Sequence, residues 1–135
     1  MSHLGCERPG DEVTTIRLIF KCLLALLMVT AGIGHFLNPD FFLKIMPPYL
    51  PFHRELVYLS GLFEIALGIT LLIPTLSQLA AWGIIALLIV VFPANIYLYQ
   101  HQEIVPASPL VHLIRLLLQA VLIFWAYCYT KKRTP

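Results

Sequence analysis

Six polar residues stand inside stretches of the chain that otherwise suit hydrocarbon: His35, Glu64, Asn95, His112, Arg115 and Gln119. Glu64 makes the strongest demand. It sits near the middle of "YLSGLFEIALGITLLIP", residues 58–74, and a charge at the centre of a membrane helix costs about 2.5–3.5 kcal/mol on insertion scales. Arg115 is the natural counter-ion, because a guanidinium holds a carboxylate through two parallel N–H···O bonds. The sequence therefore predicts that Glu64 and Arg115 meet directly or through one polar side chain, with Asn95, Gln119 and His35 satisfying the remaining donors and acceptors. His112, Arg115 and Gln119 fall at i, i+3 and i+7, one stripe of a helix. Such a set can hold the polar head of a ligand, handle a proton, or simply fasten helices together. His35, Glu64 and His112 also offer nitrogen and oxygen to a transition metal, but they come from three separate segments without ligand spacing, so no metal site is assigned.

The elements that must position these groups follow from composition. Of 135 residues, 59% are hydrophobic and 12% charged, and the mean hydropathy is +0.84. That balance is too apolar for a soluble domain of this size. Crossing roughly 30 Å of hydrocarbon takes about 20 mostly apolar residues, and four stretches qualify: 16–37, 55–73, 78–99 and 110–129. The expected fold is an all-α membrane protein, a four-transmembrane-helix bundle with an interfacial or re-entrant segment after helix 1. Residues 1–15 read as a cytoplasmic N-terminal tail, 16–129 as the membrane domain and 130–135 as a basic cytoplasmic C-terminal tail.

The segment after the first span, "FFLKIMPPYLPFHRE", is too short and proline-broken to cross. It is also too apolar to float free. Irregular backbone at membrane depth needs protein or water beside it, so residues 41–53 are expected to cap whatever the helices enclose. Ser60, Glu64 and Gly68 recur every fourth residue, giving the second span a small, polar face for a close neighbour. The tight connection "PTLSQ" makes the second and third spans antiparallel neighbours. Pro93 frees backbone carbonyls one turn back, two residues before Asn95.

Depth can be counted at about 1.5 Å per residue. On that count Arg115 lies roughly 9 Å inside the outer end of its span and Glu64 roughly 13 Å inside the outer end of its own. Gln119 is a turn deeper than Arg115, Asn95 about a turn inside its span, and His35 at the outer end of the first. Every span thus sends a polar group into the same half of the bundle.

Charge placement sets orientation. Arg8, Arg17 and Lys21 lie at the start of the first span and Lys131, Lys132 and Arg133 after the last, while the opposite connections carry only Lys44 and Arg54. The positive-inside rule puts both termini in the cytoplasm, in the cell (inner or plasma) membrane. Lys21 is expected to snorkel to the inner interface, where Trp125, Tyr127 and Tyr129 form an aromatic anchor. A net charge of +2 argues against a nucleic-acid partner. Cys6, Cys22 and Cys128 form no C-x-x-C pair and lie on the reducing side, which argues against a disulfide and against quinone-linked thiol oxidases. The first apolar run is long for a signal peptide and lacks an A-x-A site.

The segments "AGIGHFLNPDFFLKIMPPYLP", "ELVYLSGLFEIALGITLLIP", "LAAWGIIALLIVVFPANIYLY" and "IRLLLQAVLIFWAY" together resemble, in order, the small DoxX-like membrane proteins over residues 30–129. The motifs are H-F-x-x-P, G-x-x-E, F-P-A-N and R-x-x-x-Q, which make His35, Pro39, Glu64, Asn95, Arg115 and Gln119 the motif positions. A proline often found between the Arg and Gln of the last motif is replaced by Leu117 or Leu118. The resemblance implies a membrane subunit linked to redox chemistry with quinone as acceptor, with a redox enzyme or other membrane protein as partner; other relatives look like assembly helpers.

Two function classes remain. One is a redox-associated subunit whose polar pocket in the outer half binds a quinone-like or lipid-like molecule. It needs an external electron source, since the chain has no haem, flavin or iron–sulfur motif and no cofactor of its own. The other is a non-enzymatic assembly factor or scaffold in which the polar network is structural; whether the chain is an enzyme, and whether it forms a homo-oligomer, stays open. A solute transporter is weakest, because one four-helix unit without inverted repeats offers little machinery for alternating access. A cysteine at position 44 should react with impermeant reagent from outside the cell. Reaction only from the cytoplasmic side would reverse the topology.

Overall fold

A computed structural model describes residues 9–132, and Cys6, Arg8 and Arg133 lie outside them. Five helices follow in order: α1 Pro9–Leu37, α2 Pro39–Lys44, α3 His53–Leu71, α4 Ser77–Gln100 and α5 Pro109–Tyr127. No strand occurs among the described residues. Three of the helices, α1 from Glu12, α4 and α5, are long and apolar enough to cross a membrane. Their outward faces carry bare hydrocarbon, Leu18, Ile19, Phe20 and Leu26 on α1 and Leu117, Val121 and Phe124 on α5 among them. Lipid suits such surfaces and water does not, so the helices fit a membrane protein in a bilayer. Helix α3 has comparable length but contains Arg54, Glu55 and Glu64.

Local chemistry explains the element ends. Helix α1 already runs from Pro9, within the stretch expected to be a tail. Pro39 stops α1 and opens α2 one residue later. The next residues turn rather than cross, with Leu50 N–H bonded to the Pro47 carbonyl at 3.1 Å. The chain enters α3 through Phe52 at φ 54°, the left-handed region, a conformation that costs a non-glycine residue about 1–2 kcal/mol. Thr30 and Thr70 turn their hydroxyls onto the carbonyls of Leu26 and Ala66, at 2.8 and 2.6 Å, so neither leaves an unpaired donor on an apolar helix.

The four long helices form a ring in the order α1, α3, α4, α5. Helix α1 packs along α3, α3 on α4 and α4 on α5, while the backbones of α5 and α1 approach sparingly and those of the diagonal pairs stay apart. Toward the α3–α4 connection the interior of the ring is an apolar core, filled by Leu24, Met28, Leu71, Ile84 and Ala126. Tyr129 joins this core. It is buried rather than facing headgroups as expected, and its hydroxyl donates to the Arg17 carbonyl at 3.1 Å. Arg17 Nη2 returns a bond to the Cys128 carbonyl at 2.7 Å, so the start of α1 and the end of α5 are clasped.

The closest approach is between α1 and α3. A Cβ placed on Gly61 would lie 2.7 Å from the His35 Cβ and 2.9 Å from the Gly32 carbonyl oxygen, and one on Gly32 would lie 2.6 Å from the Gly61 oxygen. Real Cβ atoms do not tolerate such distances to backbone, so this crossing requires glycine on both sides. Gly61→Ala should therefore lower stability by about 1–3 kcal/mol, measured by unfolding in mixed micelles. Gly34→Ala, whose added Cβ meets nothing within 4 Å, should be neutral or stabilising by up to about 1 kcal/mol. Equal losses in both would show that the crossing is not the constraint.

Candidate functional site

At the end away from the apolar core the ring opens into a cavity of about 490 Å³. Most of its wall is apolar, from Met28, Val57, Val91, Leu118 and Leu122. Five of the six sequence-selected residues reach it: His35, Glu64, Asn95, Arg115 and Gln119. The sixth, His112, is buried at 2% exposure with neither ring nitrogen hydrogen-bonded. It is not among the side chains lining the cavity.

Glu64 faces α1. Its buried stripe on α3 is Val57, Gly61, Glu64, Gly68 and Leu71, so the glycine crossing carries it to the last turn of α1, where His35 sits. His35 Nδ1 lies 3.5 Å from Glu64 Oε2, and both side chains are about nine-tenths buried, at 9% and 10% exposure. That separation is long for a hydrogen bond, and both atoms stay without a hydrogen-bond partner. These two atoms face each other, shielded from the cavity and with hydrogen-bonding capacity unused, while both residues contribute to the cavity lining.

The predicted Glu64–Arg115 pair is corrected. The one carboxylate contact within ion-pair reach among the described residues is His35–Glu64. The half-buried Arg115 instead holds its guanidinium over the Phe41 ring, 5.5 Å from the centroid, a cation–π contact. The reason is azimuth. Glu64 and Arg115 both line the cavity as depth counting implied, but α3 and α5 stand diagonally across the ring with their backbones apart.

Gln119 builds a separate bridge between α5 and α4. Its carbonyl accepts from Asn95 Nδ2 at 2.7 Å, and its Nε2 donates to the backbone carbonyl of Leu88. Pro93 has no N–H to give to residue 89, and neighbouring side chains that bond to carbonyls of such a turn are what make an intramembrane proline tolerable.

The roof comes from the segment after α1. Phe42, Ile45, Met46 and Leu50 line the cavity. Phe42 packs edge-on against the His35 ring with centroids 3.8 Å apart, and Phe41 meets Arg115, so α2 bridges α1 and α5. Sequence reasoning missed both phenylalanines as specific partners and missed Gly32 altogether; the spacing of small residues Ala25 and Gly32 was the available signal. Where α1 and α5 part, Leu27 and Leu118 line the cavity while remaining about half exposed. This gives the cavity a lateral face toward lipid.

Fold and cavity together define an all-helical membrane protein with a polar-floored, apolar-walled chamber in one half. Residues 24–130 match the family described as a domain of unknown function, DUF8561. That is most of the chain, which therefore belongs to this family. No curated protein and no solved structure matches it.

A double-mutant cycle with His35→Ala and Glu64→Gln should give a coupling of about 0.5–3 kcal/mol, as contacting residues do. Glu64→Gln with Arg115→Gln should be additive to within about 0.5 kcal/mol, because the two side chains share no partner. Strong coupling in the second cycle and none in the first would reinstate the arginine as the counter-ion.

Proposed function

We propose that the protein is an integral membrane subunit in which α3 crosses as a fourth span and the outer half of the bundle binds an amphipathic quinone-like or lipid-like molecule. The observation that carries this reading is the buried His35–Glu64 pair. Two facing polar atoms without hydrogen-bond partners, on side chains that line a mostly apolar chamber, are costly unless something meets them. Intramembrane ionisable groups of this kind mark functional sites. A volume of about 490 Å³ lies within the roughly 300–1,000 Å³ of small-molecule pockets.

In this reading the ligand's apolar body lies against Met28, Val91 and Leu122, having entered between α1 and α5. Its polar head meets His35 and Glu64 on one side and the Arg115 guanidinium on the other. Arg115 only donates, so it suits a carbonyl or phosphate oxygen. Glu64 as a carboxylate accepts, so it suits a hydroxyl. A bound quinone would supply two-electron acceptor chemistry, and electrons would come from a partner redox enzyme. The DoxX-like motif positions, five of which face the cavity, give this reading a second support. Both termini are then cytoplasmic and α2 lies at the outer interface.

The scaffold reading has one observation in its favour. Asn95, Gln119 and the Leu88 carbonyl bond to one another, so that part of the network already closes on protein.

Protein purified in mild detergent should carry an amphipathic small molecule near stoichiometry, identified by mass spectrometry. His35→Ala should remain folded and retain about tenfold less of it or lower still, the effect of losing one hydrogen bond at a charged site. Ligand-free protein whose unfolding midpoint does not respond to added quinone or lipid would leave the scaffold reading standing instead.

A further inference from the structure

A second cavity, of about 450 Å³, lies at the opposite end of the bundle. Its wall combines Arg17 and Lys21 of α1, Lys131 and Lys132 after α5, the hydroxyl-bearing Tyr129, and Pro74 and Thr75 of the α3–α4 connection. Four cations thus surround one hollow without a carboxylate in the lining. None of the four makes an ion pair with a carboxylate among the described residues. Arg17 and Lys21 are four residues apart on one helical face. Tertiary contacts hold the arrangement: Arg17 spends Nη2 on the Cys128 carbonyl, and its planar fork has further donors. The wall also includes Ser77 and Gln78, the first residues of a 24-residue helix whose N-cap, Leu76, supplies no side-chain bond. Helix N-termini expose backbone N–H groups and a positive dipole end, both favourable to an anion.

Like charges gathered around a cavity repel one another unless an anion joins them. A strongly hydrated monovalent counter-ion would not need a chamber of this size built from three parts of the chain. Lys21 sits within the apolar stretch of α1 and Lys132 beyond the end of α5, so the cations span the boundary between hydrocarbon and water. Phosphate headgroups occupy that boundary, and basic pockets between transmembrane helices on the cytoplasmic side recognise them. We propose that this cavity binds the phosphate group of an anionic phospholipid. The site is separate from the His35–Glu64 chamber and does not rest on the function proposed for it.

The test uses the full chain in uncharged detergent, with Tm followed while short-chain phosphatidylglycerol, phosphatidylcholine or inorganic phosphate is added. Phosphatidylglycerol should raise Tm in a saturable, salt-sensitive way, and phosphatidylcholine, whose headgroup is neutral overall, should do so far less. The triple variant Lys21→Gln, Lys131→Gln, Lys132→Gln should need roughly tenfold more phosphatidylglycerol or above for the same shift, given the attraction of each surface cation for anionic lipid. Should Lys21→Gln impair folding, the exposed pair Lys131→Gln, Lys132→Gln carries the same comparison. An equal Tm shift with inorganic phosphate, lost in the same variants, would keep the phosphate site and overturn the lipid as its source. An identical response to phosphatidylglycerol in the parent chain and the variants, or no response in either, would overturn the site.

Discussion

With no side chains between them, the backbones of α1 and α3 meet at Gly32 and Gly61, where an added Cβ would fall within 3 Å of the opposing carbonyl. Everything on the functional side of the bundle hangs from this contact. Gly61 and Glu64 share the buried stripe of α3, so pressing the glycine against α1 necessarily turns the carboxylate toward α1 as well. His35 is one turn beyond Gly32 and arrives beside it. In lipid there is little hydrophobic gain from bringing helices together, so close packing of small residues is one of the few forces available.

The bundle is consequently asymmetric along its axis. Near the α3–α4 connection, leucine, isoleucine and alanine fill the ring, and Arg17 and Tyr129 tie its open edge. Toward α2 the helices diverge around a chamber that no large side chain fills. Three independent contacts keep this chamber from collapsing: the His35–Phe42 edge-on packing, the Arg115–Phe41 cation–π contact, and the Asn95–Gln119 bond with its anchor on the Leu88 carbonyl. An amphipathic ligand would find its polar partners already fixed, which reduces the ordering it must impose on binding.

Polar residues in this chain divide into those that close on protein and those that do not. Gln119 belongs to the first group, since both ends of its amide are bonded. His35 and Glu64 belong to the second. The four cations at the other end also lack carboxylate partners, but Lys131 and Lys132 are exposed at the molecular surface, whereas the Glu64 side chain is about nine-tenths buried. This contrast separates the electrostatics of the two ends: one is a surface attraction screened by salt, the other a buried site where each hydrogen bond matters more.

The sequence by itself determined the class of structure and the depth of its polar groups. Runs of apolar residues bounded by prolines fixed where helices begin and end to within a few residues, apart from the early start of α1, and counting 1.5 Å per residue put His35, Glu64, Asn95 and Arg115 in one half of the bundle. Depth depends only on position along a helix, so one-dimensional information suffices for it. Only the tertiary structure decided azimuth and helix order. That order placed α3 opposite α5, which separated Glu64 from Arg115 despite their similar depth, gave Glu64 to His35, turned Arg115 toward Phe41 and left His112 buried away from the cavity. It also assembled Arg17, Lys21, Lys131 and Lys132 from the two ends of the chain into one hollow. Those outcomes depend on which faces fit together in three dimensions: small residues at helical spacing can mark a face for close approach, but nothing along the chain says which glycine, 29 positions away, will meet it.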